Sequence, residues 1–388
     1  MKKILFVIRS LEFGGAEKSL VNLLRQLPAD KYQIDLLLFK KKGEFIRQLP
    51  DTVNLLETPE ALYRLFAPAK QAGKYTLTKL VGTGCARFAR KTRKERMAYR
   101  WKHFYKKAIP ELPGQYDVAV AYVGTEVLYY VTDRVQAKKK YVWIHNDYRT
   151  ASYSKADDMP YFSAMDGIVS VSKDCVDVLK EEFPQFQQKL YCVENITSSA
   201  VVRELAEQGD APELSPECCN ILSVGRLSRQ KGFDMAIMAC AELKKQGFRF
   251  CWYVIGDGDQ KKKLQEMIQQ YDIADCFRLL GTRSNPYPYM KRCSFLAQPS
   301  RFEGKSVVLD EAKILCTPIL ATAYPTVADQ ICDGDEGIVT ELSAQGIYRG
   351  VKNMMEKPEV TQQIRAFLAA RDYGNANRVE DYIKILDA

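Results

Sequence analysis

Short apolar runs alternate with amphipathic stretches along this chain, and the alternation starts twice. In the first half, residues 4–8, 34–39, 117–123, 140–145 and 167–171 read as strands, with a helix over 16–27 after the first. Strands that are apolar throughout, rather than at every second position, belong to parallel sheets covered by helices on both faces. The pattern breaks over residues 207–217, where Gly209, Pro212 and Pro216 stand among few apolar residues. It restarts with strands at 220–224, 250–255, 276–280, 295–298 and 318–321, separated by helices at 233–246 and 260–271. The expected fold class is therefore α/β, with two doubly wound, Rossmann-like domains in series. The first spans 1–206, a linker 207–218, the second 219–370, and a C-terminal helix within 371–388 packs back on the first domain. A length of 388 residues agrees with two cores. Open α/β sheets bind ligands beyond the carboxyl ends of their strands, and the cleft between the two domains is the expected place.

Charge is concentrated. Residues 61–110 hold 14 Lys or Arg against one acid, Glu95, while the whole chain carries +9, so the remainder is acidic on balance. This segment interrupts the first domain and reads as helices, basic on one side, with Leu62, Tyr63, Leu65, Phe66, Phe88, Met97, Tyr99, Trp101, Phe104 and Tyr105 interleaved. Such a mixture suits an anionic membrane surface better than nucleic acid, and a merely solvated helical face is the competing reading. No run approaches 18 apolar residues, so no helix is expected to span a membrane. Arg9 closes the apolar start after a few residues, which favours a first strand over a leader peptide. The eleven cysteines show no CxxC pairs, as expected of buried thiols in a reducing cytoplasm. Two histidines exclude a His-rich metal site.

Five places carry chemistry. Gly14 and Gly15 lie in the first strand-to-helix turn, where exposed backbone N–H groups can approach an anion. Gly225-Arg226-Leu227-Ser228-Arg229-Gln230-Lys231-Gly232 follows the first strand of the second domain. There Arg226 and Lys231 could converge on a diphosphate, an arginine fork beside a lysine point charge. Its glycine spacing is not that of a P-loop. Gly256-Asp257-Gly258-Asp259 ends another strand and reads as a turn with an acidic helix start. In the run from Glu303 to Glu311, Gly304, Lys305 and Ser306 form a turn ahead of a helix that begins near Val307. Free N–H groups and the helix dipole suit phosphate there, and the two glutamates suit sugar hydroxyls. His145 stands at the carboxyl end of a strand, where ligands of such sheets bind.

Taken in order, Gly14-Gly15-Ala16-Glu17, His145, Gly225-Arg226-Leu227 with Lys231-Gly232, Gly256-Asp257-Gly258, Pro286 to Met290, Pro299-Ser300-Arg301 and Glu303-Gly304 through Glu311-Ala312 resemble one family. The chain is similar to the retaining, nucleotide-sugar-dependent glycosyltransferases of family 4, which have the GT-B fold. The agreement covers most of the chain and is close over 219–340. The version at 303–311 looks most like bacterial enzymes that build capsular or exopolysaccharides. The resemblance implies catalytic roles for His145, Arg226, Lys231 and Glu303. Arg226 and Lys231 would hold the donor diphosphate, Gly15 and the backbone of Ser306 and Val307 would contact phosphate, Glu311 would bind ribose, and Glu303 the transferred sugar. Gly14, Gly225, Gly256, Gly281, Thr282, Arg283, Tyr289, Gly304 and Lys305 complete the implied donor site, with the segment after Gly281 meeting the base. The family often has an aromatic residue where Lys305 stands.

The implied reaction moves a hexose or N-acetylhexosamine from a UDP-sugar to a hydroxyl of a lipid-linked surface glycan. It needs no cofactor and no metal, and takes place at the inner face of the plasma membrane. A glycosidase reading of the paired glutamates fails on distance. Eight helical residues rise about 12 Å, whereas such carboxyl pairs stand about 5 Å or 6.5–9.5 Å apart. A nucleotide-sugar epimerase or a non-catalytic scaffold are the remaining alternatives.

Overall fold

A computed structural model describes every residue except Phe13 and Ser152. Two compact units emerge, one built from Met1–Glu12, Ala16–Glu194 and Arg378–Ala388, the other from Gly14, Gly15 and Asn195–Asn377. The first holds strands β1 (Lys2–Ile8), β2 (Tyr32–Leu38), β3 (Val53–Leu55), β4 (Gln115–Ala121), β5 (Gln136–Ile144), β6 (Gly167–Ser170) and β7 (Leu190–Cys192). They form one sheet in the order β3-β2-β1-β4-β5-β6-β7, parallel throughout. The second holds β8 (Cys219–Val224), β9 (Phe250–Ile255), β10 (Phe277–Gly281), β11 (Phe295–Gln298), β12 (Ile319–Thr322) and β13 (Ile338–Thr340). Its order is β10-β9-β8-β11-β12-β13, again parallel. Both units are α/β and Rossmann-like. The short edge strands β3, β7 and β13 escape a reading of apolar runs, because three residues at a sheet margin bury too little to leave a periodic signal.

Burial explains why these strands carry no polar alternation. In the second unit Ile221, Trp252, Val254, Phe295, Ala297 and Leu320 point into one core cluster, whereas Leu222, Tyr253, Ile255, Leu296, Ile319 and Ala321 point into another. Neighbouring residues thus face opposite sides, with helices covering each, so every position is under pressure to be apolar. In each sheet the winding direction reverses once, between β1 and β4 and between β8 and β11. The loops leaving β8 and β11 lie at this switch point of the second unit, where ligands of such sheets bind.

The boundary between units falls at Glu194/Asn195, ahead of the expected linker. Residues 195–218 are part of the second unit, where Val202, Ala206 and Ala211 join its core. Within the proposed linker, Glu213 accepts hydrogen bonds from Arg283 (2.6 Å) and Tyr289 (2.5 Å), and Asn220 bonds both ways with Ser215. Low apolar content there reflects polar anchoring rather than freedom. At the other end, the C-terminal helix Val379–Asp387 belongs to the first unit. Tyr382 stacks on Trp143 of β5 at 5.8 Å, and its hydroxyl donates to the Glu194 carbonyl.

The basic segment is helical, with helices Glu60–Phe66, Thr76–Ala89 and Arg93–Arg100, the last continuing through a wider turn at Trp101–Tyr105. Its interleaved apolar residues divide into two groups. Leu62, Leu65, Phe66, Trp101 and Tyr105 are buried in the core of the first unit, where Trp101 meets Tyr130 edge-on and donates to Asp133 (2.8 Å). These side chains do not form the membrane-facing surface that their spacing suggested; they fix the segment to the sheet. Among the described residues no helix is long and apolar enough to cross a membrane.

Candidate functional site

The loop after β8 and the loop after β9 are sewn together. Leu227 N–H donates to the Asp257 carbonyl (3.0 Å), and Gln260 N–H to that of Leu227 (2.9 Å). Gly256 (φ +152°) lies so close that a Cβ would stand 1.9 Å from the Gly225 carbonyl oxygen. Gly232 (φ +67°) caps the short turn Arg229–Lys231 in a left-handed conformation, and a Cβ would stand 1.9 Å from the Pro299 carbonyl oxygen. Only glycine meets both the backbone angle and the close approach. These contacts fold the Gly225–Gly232 loop back toward the loop leaving β11. Arg301 completes the closure, its N–H donating to the Gln230 carbonyl (2.7 Å) and its guanidinium forming two bonds with Asp234.

Glu303 is the centre of this arrangement. Its side chain is 7% exposed, and Oε1 accepts from Lys231 Nζ (2.6 Å), Ser300 Oγ (2.5 Å) and Gln298 Nε2 (3.0 Å). Oε2 accepts from Gln230 Nε2 (3.2 Å). The Glu303 carbonyl takes the Thr326 hydroxyl (3.0 Å). Lys231 and Arg226 stand in different settings. Arg226 is exposed, while the Lys231 ammonium is paired with Glu303 and its stem lies over Gly225, where a Cβ would meet Cε at 3.1 Å. A buried carboxylate draws the nearest cation, because leaving it unpaired costs more than solvating the lysine returns. Oε1 is saturated, and Oε2 retains capacity for a further donor such as a sugar hydroxyl.

The helix after this loop runs Val307–Ile314. Its start is less open than expected. Ser306 N–H donates to Gln330 Oε1 (2.6 Å), and Gln330 Nε2 returns to the Ser306 carbonyl (2.9 Å), so a distant amide replaces a capping side chain. The Ser306 N–H group is therefore engaged within the protein. Glu311 is 1% exposed and accepts from the Tyr287 hydroxyl (3.0 Å). Gly304 is buried, and Lys305 is half-buried.

Gly281 (φ +72°) ends β10, and its carbonyl takes Gly256 N–H (2.9 Å). Beyond Thr282, Arg283 and Tyr289 are turned to Glu213 rather than left open. Burial opposes ionisation of that carboxyl, but the bonds from Tyr289 and Arg283 hold it below the usual carboxylate range. In the first unit, His145 follows β5 and its Nε2 lies 2.9 Å from the Tyr122 carbonyl. A carbonyl only accepts, so Nε2 carries the proton. Gly15 opens the helix Gly15–Gln26, and a Cβ there would meet nothing within 4 Å. Packing does not demand a glycine at this place.

Gln298 and Gln330 escaped the sequence reading, and Gln230 and Tyr287 stood within quoted motifs without an assigned role. Gln298 could have been suspected as a polar residue ending an apolar strand. Tyr287 and Gln330 carry no local signal, since their partners lie 24 positions away.

Comparison with known proteins names the pattern. Residues 214–367 match the family model described as Glycosyl transferases group 1. The chain is 31% identical over 170 residues to the N-acetylgalactosamine-N,N'-diacetylbacillosaminyl-diphospho-undecaprenol 4-alpha-N-acetylgalactosaminyltransferase of Campylobacter jejuni, covering 43% of this chain and 46% of that one. It is 28% identical over 157 residues to the amylovoran biosynthesis glycosyltransferase AmsD of Erwinia amylovora, covering 40% and 44%. These matches span about half the length of both relatives. Among solved structures, Anabaena HepE in complex with UDP-glucose superposes with a TM-score of 0.71 at 17% identity, over 100% of each chain. The fold is that of the GT-B glycosyltransferases.

Proposed function

We propose that this chain transfers a hexose or N-acetylhexosamine from a UDP-sugar to a hydroxyl of a growing, lipid-linked surface glycan, with retention of anomeric configuration. The observation that carries the reading is the pair of loops that meet at the β8/β11 switch point. There a glycine-bent loop, which also carries the exposed Arg226, brings Lys231 onto a buried Glu303, within the segment that matches the glycosyltransferase pattern. The names of the two relatives support surface glycans as products and a diphospho-undecaprenol acceptor, and the UDP-glucose complex of HepE supports the nucleotide.

In this reading the diphosphate lies along the Gly225–Gly232 loop, with Arg226 and Lys231 as its counter-charges. The sugar hydroxyls meet Glu303 Oε2, and ribose meets Glu311 once Tyr287 yields its bond. The bond from the anomeric carbon to the diphosphate oxygen breaks as the acceptor oxygen bonds that carbon on the same face. The departing oxygen takes the acceptor's proton, so atoms and charge balance without a protein nucleophile. Arg226 and Lys231 offset the charge that develops on the leaving group. By the resemblance, His145 and Gly15 are assigned to the sugar and the phosphate respectively. The two cations supply the positive charge, and neither cofactor nor metal is invoked.

The test is release of nucleoside diphosphate from a panel of donors with lipid-linked acceptors, followed by NMR of the new anomeric centre. Acceptor-dependent UDP release with an unchanged anomer supports the proposal. Absence of release across the panel, or inversion at the anomeric carbon, overturns it.

A further inference from the structure

Helix Thr76–Ala89 has an apolar side that the protein does not cover. Leu77 (73% exposed), Leu80 (57%), Val81 (45%) and Phe88 (96%) share that side, together with Gly84, above which a Cβ would meet open space. The spacing 77, 80, 81, 84, 88 gathers them into a stripe about 100° wide along roughly 20 Å of helix. The opposite side is packed. Ala86 is buried, Gly82 lies against the Phe104 ring, and Lys79 donates to the Ala67 carbonyl. The helix is therefore held in place by one side and presents the other.

Cations surround the stripe. Lys70 and Lys74 precede it, Arg87 flanks it, and Arg90, Lys91 and Arg93 follow it, all exposed. The whole segment 61–110 holds 14 basic residues and one acid. An apolar stripe with such a rim fits a surface that is negatively charged outside and apolar within. A second copy of this chain would bring the same positive charge to the same place and be repelled.

We propose that helix Thr76–Ala89 lies in the plane of an anionic lipid bilayer, with Leu77, Leu80, Val81 and Phe88 among the acyl chains and the flanking lysines and arginines at the headgroups. The buried aromatics of the segment take no part; they hold the helix on the sheet. The inference does not depend on the proposed sugar transfer, and its test measures no activity.

The full chain is mixed with vesicles of phosphatidylcholine alone or with phosphatidylglycerol, sedimented, and scored for bound protein. The wild type sediments with the phosphatidylglycerol vesicles. Leu80→Glu/Phe88→Glu weakens this by at least about tenfold, and Arg90→Glu/Lys91→Glu by more than about thirtyfold. Both keep the wild-type melting temperature, since all four side chains are exposed. Tyr271→Glu, an exposed apolar position in the second unit, binds as the wild type does. Phe88→Trp shows blue-shifted emission on insertion. Equal recovery with neutral vesicles, retained binding in the Glu variants, or a lipid-free dimer that Phe88→Glu dissociates would each overturn the proposal.

Discussion

Replacing Lys231 with methionine probes the pair at the heart of the site. The substitution keeps most of the stem over Gly225 and removes only the ammonium, so packing changes little while Glu303 Oε1 loses its 2.6 Å partner. Breaking a buried ion pair from one side costs about 3–5 kcal/mol. Here Ser300, Gln298 and Gln230 still donate to the carboxylate, and the lysine side chain is 15% exposed. Both facts lower the figure, and about 2–3 kcal/mol is expected. Glu303→Gln leaves the ammonium able to turn outward and costs less. The double variant needs no counter-charge and is more stable than the sum of the single losses predicts. Urea unfolding of the four proteins gives the coupling directly, expected at about 1.5–2.5 kcal/mol. Additivity within about 0.5 kcal/mol would refute the argument that a buried carboxylate fixes the lysine. The cycle also bears on turnover. Loss of activity in Lys231→Met at a temperature where the protein is folded reports on the diphosphate, not on the pair.

Competition for that lysine gives a second expectation. Glu303→Gln frees the ammonium, so isothermal titration shows UDP binding tightened while sugar transfer falls; weaker UDP binding would count against a shared lysine. Gly256→Ala forces a Cβ onto the Gly225 carbonyl oxygen and loses more than about 2 kcal/mol by urea unfolding, whereas Gly15→Ala finds open space and leaves stability within about 0.5 kcal/mol. Tyr287→Phe strips Glu311 of its hydroxyl donor and costs about 1–2 kcal/mol, read as a lowered urea midpoint. Burial holds the Lys94 ammonium down to a pKa of about 8 against the pull of Asp158 and Glu126. Between about pH 8 and 10.5 the unfolded chain therefore binds the extra proton, and this group's contribution to stability rises with pH. Lys94→Met removes a penalty that is fully present below pH 8, so the variant gains on the order of 1–2 kcal/mol at pH 7 after losing its contact with Tyr153. That gain disappears by pH 10.5, and a gap that stays constant across the window would show that burial is not the cause.

Much of the fold was legible because both faces of each sheet are covered. That pressure gives β1, β4, β8, β9 and β11 largely continuous apolar runs instead of a polar alternation, and such runs stand out in a sequence. The reading failed where polarity had another cause. Residues 207–218 looked like a linker because Gly209, Pro212 and Pro216 stand among few apolar residues, yet the Glu213 side chain and the Ser215 backbone anchor the stretch to Arg283, Tyr289 and Asn220. In the basic segment, the spacing of apolar residues identified helices but not which of their sides met the core.

The sequence by itself determined two parallel sheets, the glycine-bent turns that follow their strands, and the clustering of charge in 61–110. Each depends on neighbours in the chain: the strand period, a positive φ, the count of lysines and arginines. Partnership was decided only by the tertiary structure. Lys231 belongs to Glu303, 72 positions away, Ser306 to Gln330 and Glu311 to Tyr287, 24 positions away in both cases. A buried charge or an uncapped helix end must find a partner wherever the fold brings one, and that choice is made through space rather than along the chain.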